Sequence, residues 1–479
     1  MMKTFRTSLI NLCAQAFLLS IIPASAIIKI PGILGDNMVL QQGEPVPVWG
    51  WAAKGEKVTV SFHGKTVSTQ ADKDGKWRVD LPAMKANAKE SDLTIKGSNE
   101  IKLKNVLVGE VWLCSGQSNM EWSVARSGNA KEEIANGNHP LIRHVKIPRK
   151  LNLTPQDDVQ TGGWQVCSPS TVANFTAVGY YFARHLQKEI KVPIGLIGSN
   201  WGGTRIEPWT PAEGFKAVPA LKKDFADKLD QFTKGKPGRS TPTHMYNAMI
   251  APLLPYAIKG ALWYQGESNN GEGMLYHKKM KALIAGWRSV WVKPELPFYY
   301  VQLAPFNYRN RDPKALPWIW QAQLETLKVP HTGMAVTTDI TTVNNIHPPN
   351  KQDVGKRLAL WALAKNYGYD KMVYSGPLFD KADHSEGKDS MAVYFKELRG
   401  REIGLTVPDG KNLSHFEVAG EDGKWHPAEA FIVYGHHVVA KSKAVKNPVH
   451  VRFGWEQKAS PNLFNRAGFP ASPFTTEKP

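Results

Sequence analysis

Ser118 and His347 are the two side chains of this sequence whose surroundings suit nucleophilic chemistry. Ser118 lies in Val111-Trp-Leu-Cys-Ser-Gly-Gln-Ser-Asn-Met-Glu-Trp122. Val111 to Cys114 has the length and residue types of a buried strand, and Ser115-Gly116 break it before a polar segment that can open a helix. In an open α/β sheet, ligands bind outside the carboxyl ends of the strands, so a hydroxyl at this break is well placed to react. A serine there also serves as an ordinary helix cap. The nucleophile-elbow pattern G-x-S-x-G is incomplete, because Met120 stands where its second glycine belongs. An ordinary α/β-hydrolase is therefore not expected. His347, in Asn344-Asn-Ile-His-Pro-Pro-Asn350, falls between a strand-like run and a helical segment starting near Lys351. It is the candidate base. Ester cleavage further needs a group that orients the base and donors for the developing oxyanion.

Metal chemistry has no comparable support. His436 and His437 are adjacent on a strand-like run and would point to opposite faces. H-E-x-x-H and C-x-x-C spacings are absent from the sequence, so no metal and no cofactor is expected. Catalytic activity should accordingly survive EDTA treatment and dialysis. Loss of activity that zinc or calcium restores would contradict this.

Gly116-Gln-Ser-Asn-Met120, Trp263-Tyr-Gln-Gly-Glu-Ser-Asn269 and Ile346-His-Pro348, in that order, resemble the sialate O-acetylesterase family of SGNH-type serine esterases. The similarity extends over nearly all of the mature chain. It implies a flavodoxin-like core, Ser118 as nucleophile and His347 as base. It further implies oxyanion donors at the Ser118 N–H and at a glycine of Trp201-Gly-Gly-Thr-Arg-Ile-Glu-Pro208, assigned to Gly203 with Gly202 as its neighbour. A third donor, an asparagine amide in SGNH-type enzymes, would here be Gln265. The orienting acid departs from the pattern. Relatives carry Asp two or three residues before the histidine, and here both positions are amides, Asn345 and Asn344. Glu267 is the favoured substitute and Asp339 the alternative. Arg205 is a candidate for pairing with a sialic acid carboxylate, since a guanidinium binds carboxylate bidentately. Trp122, Trp201, Trp209 and Tyr264 gather near these blocks, where aromatic rings serve either sugar stacking or the core.

The elements that must position these residues are legible as periodicity. Val178, Tyr181, Phe182, Leu186 and Ile190 have helical spacing, and Ile194–Gly198 reads as the strand that follows. Ile258–Tyr264, Phe298–Leu303 and Gly333–Thr338 read as further strands, with helices over Met274–Val290 and Lys351–Tyr367. Repeated βα units imply an α/β, doubly wound, mostly parallel sheet. Before it, Lys57–Phe62 and Trp77–Leu81 alternate with period two, and Asn37–Gln42 is a further candidate strand. After it, Met391–Phe395, Phe431–Tyr434, His437–Ala440 and Val449–Phe453 are strand-like. The expected division is a signal peptide over 1–26, an N-terminal β-sandwich region over 27–107, an esterase domain over 108–370 and a C-terminal β-rich region over 371–479.

The first 26 residues carry Lys3 and Arg6, an apolar stretch from Leu9 to Ile22, and Ala24-Ser-Ala26. That is the form of a secretory leader, so export to the periplasm or the extracellular space is expected. No later run reaches the ~20 apolar residues of a membrane span. Cys114 and Cys167 then remain, either paired or as buried thiols. The formal charge is +18, with Lys3 and Arg6 supplying two of it. The basic residues are scattered without an arginine-rich run, so nucleic acid is not an expected partner. Hydrophobic content of 42% against 21% charged residues fits a globular protein. The expected partner is an acetylated carbohydrate: sialic acid by resemblance, acetylated xylan as the enzymatic alternative. A glycan-binding protein with a degenerate hydrolase core is the rival from outside the enzymes.

Overall fold

A computed structural model describes residues 27–309, 311–385, 387–398 and 403–478. The leader expected over residues 1–26 lies outside the described residues. Seven strands form the backbone of the central sheet. These are β1 (Glu100–Gly116), β2 (His139–Lys146), β3 (Gln165–Cys167), β4 (Ile194–Asn200), β5 (Gly260–Tyr264), β6 (Phe298–Val301) and β7 (Thr332–Ala335). Their spatial order is β7-β6-β5-β1-β4-β2-β3. All neighbours are parallel except the edge pair β2/β3. The chain fills one side of β1 first, then crosses to the other. The carboxyl end of β1, between β4 and β5, is therefore the topological switch point where ligands gather in open α/β sheets.

The helices are α1 (Ser118–Glu121), α2 (Ala177–Ile190), α3 (Leu275–Val290), α4 (Ala315–Thr326) and α5 (Lys351–Asn366); α2, α3 and α5 match the expected helical segments, whereas α4 was not anticipated. The spaced apolar residues Val178, Tyr181, Phe182 and Leu186 of α2 are buried, along with the whole run Ala177–Ala183, and this helix packs on α5. The final stretch of β1, Val111 to Cys114, is wholly buried, as a central strand covered on both faces must be.

The N-terminal β structure is hydrogen-bonded to this sheet. Lys57–Phe62 pairs with Lys65–Gln70 and Asn87–Lys96, and the last of these pairs with the first part of β1. Val39–Gln41 lies parallel to residues 107–109 of β1. Strand β1 thus runs unbroken through the position where a boundary at 107 was expected. The reason lies in its composition. Its first part is half-exposed and edge-like, its second continuous and apolar, and no glycine or proline separates the two before Gly109. Beyond residue 371 come two four-stranded antiparallel sheets. Phe474, in the last strand of the second sheet beside Phe453, packs against Phe379 and Phe395 of the first. Cys114 and Cys167 are separate buried thiols, and burial pushes the Cys167 thiol up to about 12. Among the described residues, no helix is long and apolar enough to cross a membrane.

Candidate active site

Three adjacent strand ends, those of β4, β1 and β5, build the floor of the site. Gly116 closes β1 at φ +134, and a Cβ there would stand 2.2 Å from the Tyr264 carbonyl oxygen, so only glycine fits. That close approach lets the Gln117 N–H donate to the Tyr264 carbonyl at 2.9 Å. The Gln117 Oε1 in turn accepts from Gln265 Nε2 at 3.1 Å and from the N–H of Ser268 at 3.2 Å. The turn carrying Ser118 is thereby tied to the β5 loop.

His347 arrives from the far side of the sheet on the loop between β7 and α5. Its Nε2 lies 2.8 Å from Ser118 Oγ. Its ring stacks on Trp122, with centroids 4.4 Å apart and planes at 18°. The Arg126 guanidinium also packs on Trp122, 3.6 Å from its ring centroid. The His347 N–H donates to Asn345 Oδ1 at 2.9 Å, so this amide shapes the turn. Burial, assisted by the charges of Lys351 and Arg126, holds the imidazole down to about 4. It is therefore neutral, and able to accept a proton, throughout the ordinary working range.

Four expectations need correction. Glu267 was expected to hold the His347 ring, yet among the described residues no carboxylate is hydrogen-bonded to that ring. Glu267 Oε1 instead accepts from Asn119 Nδ2 at 2.5 Å. Asp339, the alternative, receives both Nη atoms of Arg357, at 2.7 and 2.6 Å, and is committed to that pair. Gln265 was expected to aim its amide at the oxyanion. It is fully buried, and its Nε2 donates to Gln117, Thr204 and Asn269, because a buried amide takes whatever acceptors surround it. Arg205 was expected to meet a substrate carboxylate, but it is already paired with Glu207 and Glu272. Lys279 binds the same two carboxylates.

Gly202 lies beside the serine, and Gly203 follows it in the chain. A Cβ on Gly202 would come within 3.2 Å of Ser118 Cβ, and Gly203 sits at φ +68. The Gly203 N–H has no hydrogen-bond acceptor among the described residues. Trp122 and Trp201 are half-buried beside the site, whereas Trp209 belongs to the core.

Asn119 went unremarked in the sequence although it adjoins Ser118. Its Nδ2 also donates to the Ile346 carbonyl at 2.9 Å, and its Oδ1 accepts from Lys351 Nζ. One amide thus joins the serine turn, the β5 loop and the residue before His347. Lys351 opens α5 and is fully buried. A cation in the first turn opposes the helix dipole, and that anomaly was the available signal. Burial presses its ammonium down to about 7, with Glu267 acting in the opposite direction. Burial likewise raises the Glu267 carboxyl.

Fold and site together define a protein of the α/β class with a hydrogen-bonded serine–histidine pair at the switch point of a parallel sheet. Residues 108–364 match the family model described as carbohydrate esterase, sialic acid-specific acetylesterase. The chain belongs to that family and is an esterase. It is 30% identical to the sialate O-acetylesterase of Homo sapiens, over 92% of this chain and 91% of that protein. The Rattus norvegicus enzyme of the same name is 29% identical over 92% of this chain and 93% of its own length. A carbohydrate acetylesterase from Xanthomonas citri of known structure is 37% identical, with a TM-score of 0.85 over 94% of this chain and all of that one.

Proposed function

We propose that this protein removes O-acetyl groups from sialic acid by a serine acyl-enzyme mechanism. The 2.8 Å contact between Ser118 Oγ and His347 Nε2 at the switch point carries this reading. Ser118 attacks the acetyl carbonyl while His347 takes its proton. The oxyanion is received by the N–H groups of Ser118 and Gly203, and His347 then protonates the leaving sugar hydroxyl. Water, deprotonated by His347, cleaves the acetyl-enzyme and releases acetate. The Trp122 face and the Asn119 bond to Ile346 hold the imidazole in plane, and Glu267 acts on it only through Asn119. All of these groups fall within residues 108–370, which we assign as the esterase domain between two β regions. The leader-like start of the chain supports export to the periplasm or beyond.

The substrate is tested by assaying purified protein on O-acetylated sialic acids and on acetylated xylan side by side. Preference for sialic acid in kcat/KM is expected, and a clear preference for xylan would overturn the substrate assignment. The base makes a separate demand. With His347 held down to about 4, kcat/KM should stay level from neutral pH to about 5 and fall only as pH drops through about 4. Half-maximal activity near the ordinary imidazole value would show that the ring is solvated or carboxylate-bonded in the working enzyme.

A further inference from the structure

Two charged side chains grip the Gly202–Gly203 segment from outside the reacting groups. Glu121, at the end of α1, accepts the Gly202 N–H on Oε2 at 2.9 Å. Arg239, from the long segment between β4 and β5, donates through Nη2 to the Gly202 carbonyl. That carbonyl and the Gly203 N–H belong to one rigid peptide plane and point in opposite directions. A donor fixed on the oxygen therefore fixes the direction of the N–H and polarises it. Neither glycine has a Cβ to restrict rotation, so without such bonds the plane would be free to tilt.

We infer that Glu121 and Arg239 are positioning residues for the oxyanion donor: together they set the Gly203 N–H toward the carbonyl attacked by Ser118. The inference rests on the reading of Gly203 as that donor. Glu121 removes the competing Gly202 N–H from the site. Its negative charge would oppose an oxyanion close by, and two cations offset it. Arg149 binds Glu121 Oε1 through Nε at 2.9 Å and Nη2 at 2.6 Å, and Lys146 stands 3.5 Å from the same oxygen. Arg149 and Arg239 also flank the Trp201 ring, at 5.9 and 5.5 Å from its centroid. This ring keeps both guanidinium groups beside the glycine pair.

The test uses Arg239→Ala and Arg239→Lys in the full-length enzyme, assayed on 4-nitrophenyl acetate and on an O-acetylated sialic acid. Arg239 is exposed, so both variants should fold, which thermal unfolding checks. Arg239→Ala is expected to lower kcat by about tenfold on both substrates with KM within about twofold, less than the loss of a direct oxyanion donor. Inhibition by phenylboronic acid, which forms a tetrahedral adduct on serine, should weaken by the same factor as kcat. Arg239→Lys should restore part of both. An unchanged kcat on the neutral ester would overturn the inference. So would a loss confined to KM for the acidic sugar, which would make Arg239 a receptor for its carboxylate. Ser118→Ala run in parallel separates the two failures. If it stays active, the site reading itself has failed; if it is dead while Arg239→Ala keeps its kcat, only the positioning role has.

Discussion

Ser118→Ala is expected to reduce kcat for acetyl-ester hydrolysis by about 10⁴- to 10⁶-fold, as in other enzymes built on an activated serine. The substitution removes one oxygen, whose hydrogen-bond partner is His347 Nε2. The surrounding scaffold does not depend on it. The turn is held by Gly116, by the Gln117 N–H bond to Tyr264 and by the bonds to Gln117 Oε1. Stability should therefore change by no more than about 1 kcal/mol, the ordinary worth of one hydrogen bond. Retention of more than about a tenth of kcat would remove Ser118 from the mechanism, since no acyl-enzyme can then be obligatory.

Asn119→Ala should give the next largest loss, about 10² in kcat, because small misplacement of a reacting group carries that penalty. The amide is the shared partner of Glu267, Lys351 and the Ile346 carbonyl, so its loss frees the His347 loop from the serine turn. Glu267→Gln, which acts one bond further away, should be milder, at about tenfold. Asp339→Asn should leave kcat within about threefold and instead lower stability by about 3 kcal/mol, since it deprives the buried Arg357 of its counter-charge. Steady-state rates and denaturant unfolding on the same preparations would establish the ranking. A loss of 10⁴ in Glu267→Gln would mean that its carboxylate binds His347 directly during turnover, as a triad acid does. A severe rate loss in Asp339→Asn would transfer the orienting role to Asp339.

The sequence by itself determined most elements of the central sheet and the placement of Ser118 and His347 at strand ends. Strand β4 and helices α2, α3 and α5 coincide with their periodic patterns to within a few residues, because period 2 and period 3.6 are local properties of the chain. Ser118 and His347 were legible because each stands at a strand-to-helix break, and alternating βα units bring all such breaks to one edge of the sheet. What each polar group binds was decided only by the tertiary structure. Glu267 meets Asn119 across 148 positions, Lys351 meets Asn119 across 232, and Arg239 meets Gly202 across 37. Glu267 looked like a partner for His347, and Arg205 and Gln265 like groups open to substrate, because each bears the right chemistry in the right block. A buried charge or amide must be satisfied by whatever the fold packs against it, and no local pattern specifies those neighbours. The strand that crosses residue 107 follows the same logic. Its continuity is set by the partners on either side of β1, Asn87–Lys96 on one stretch and β4 with β5 on the next.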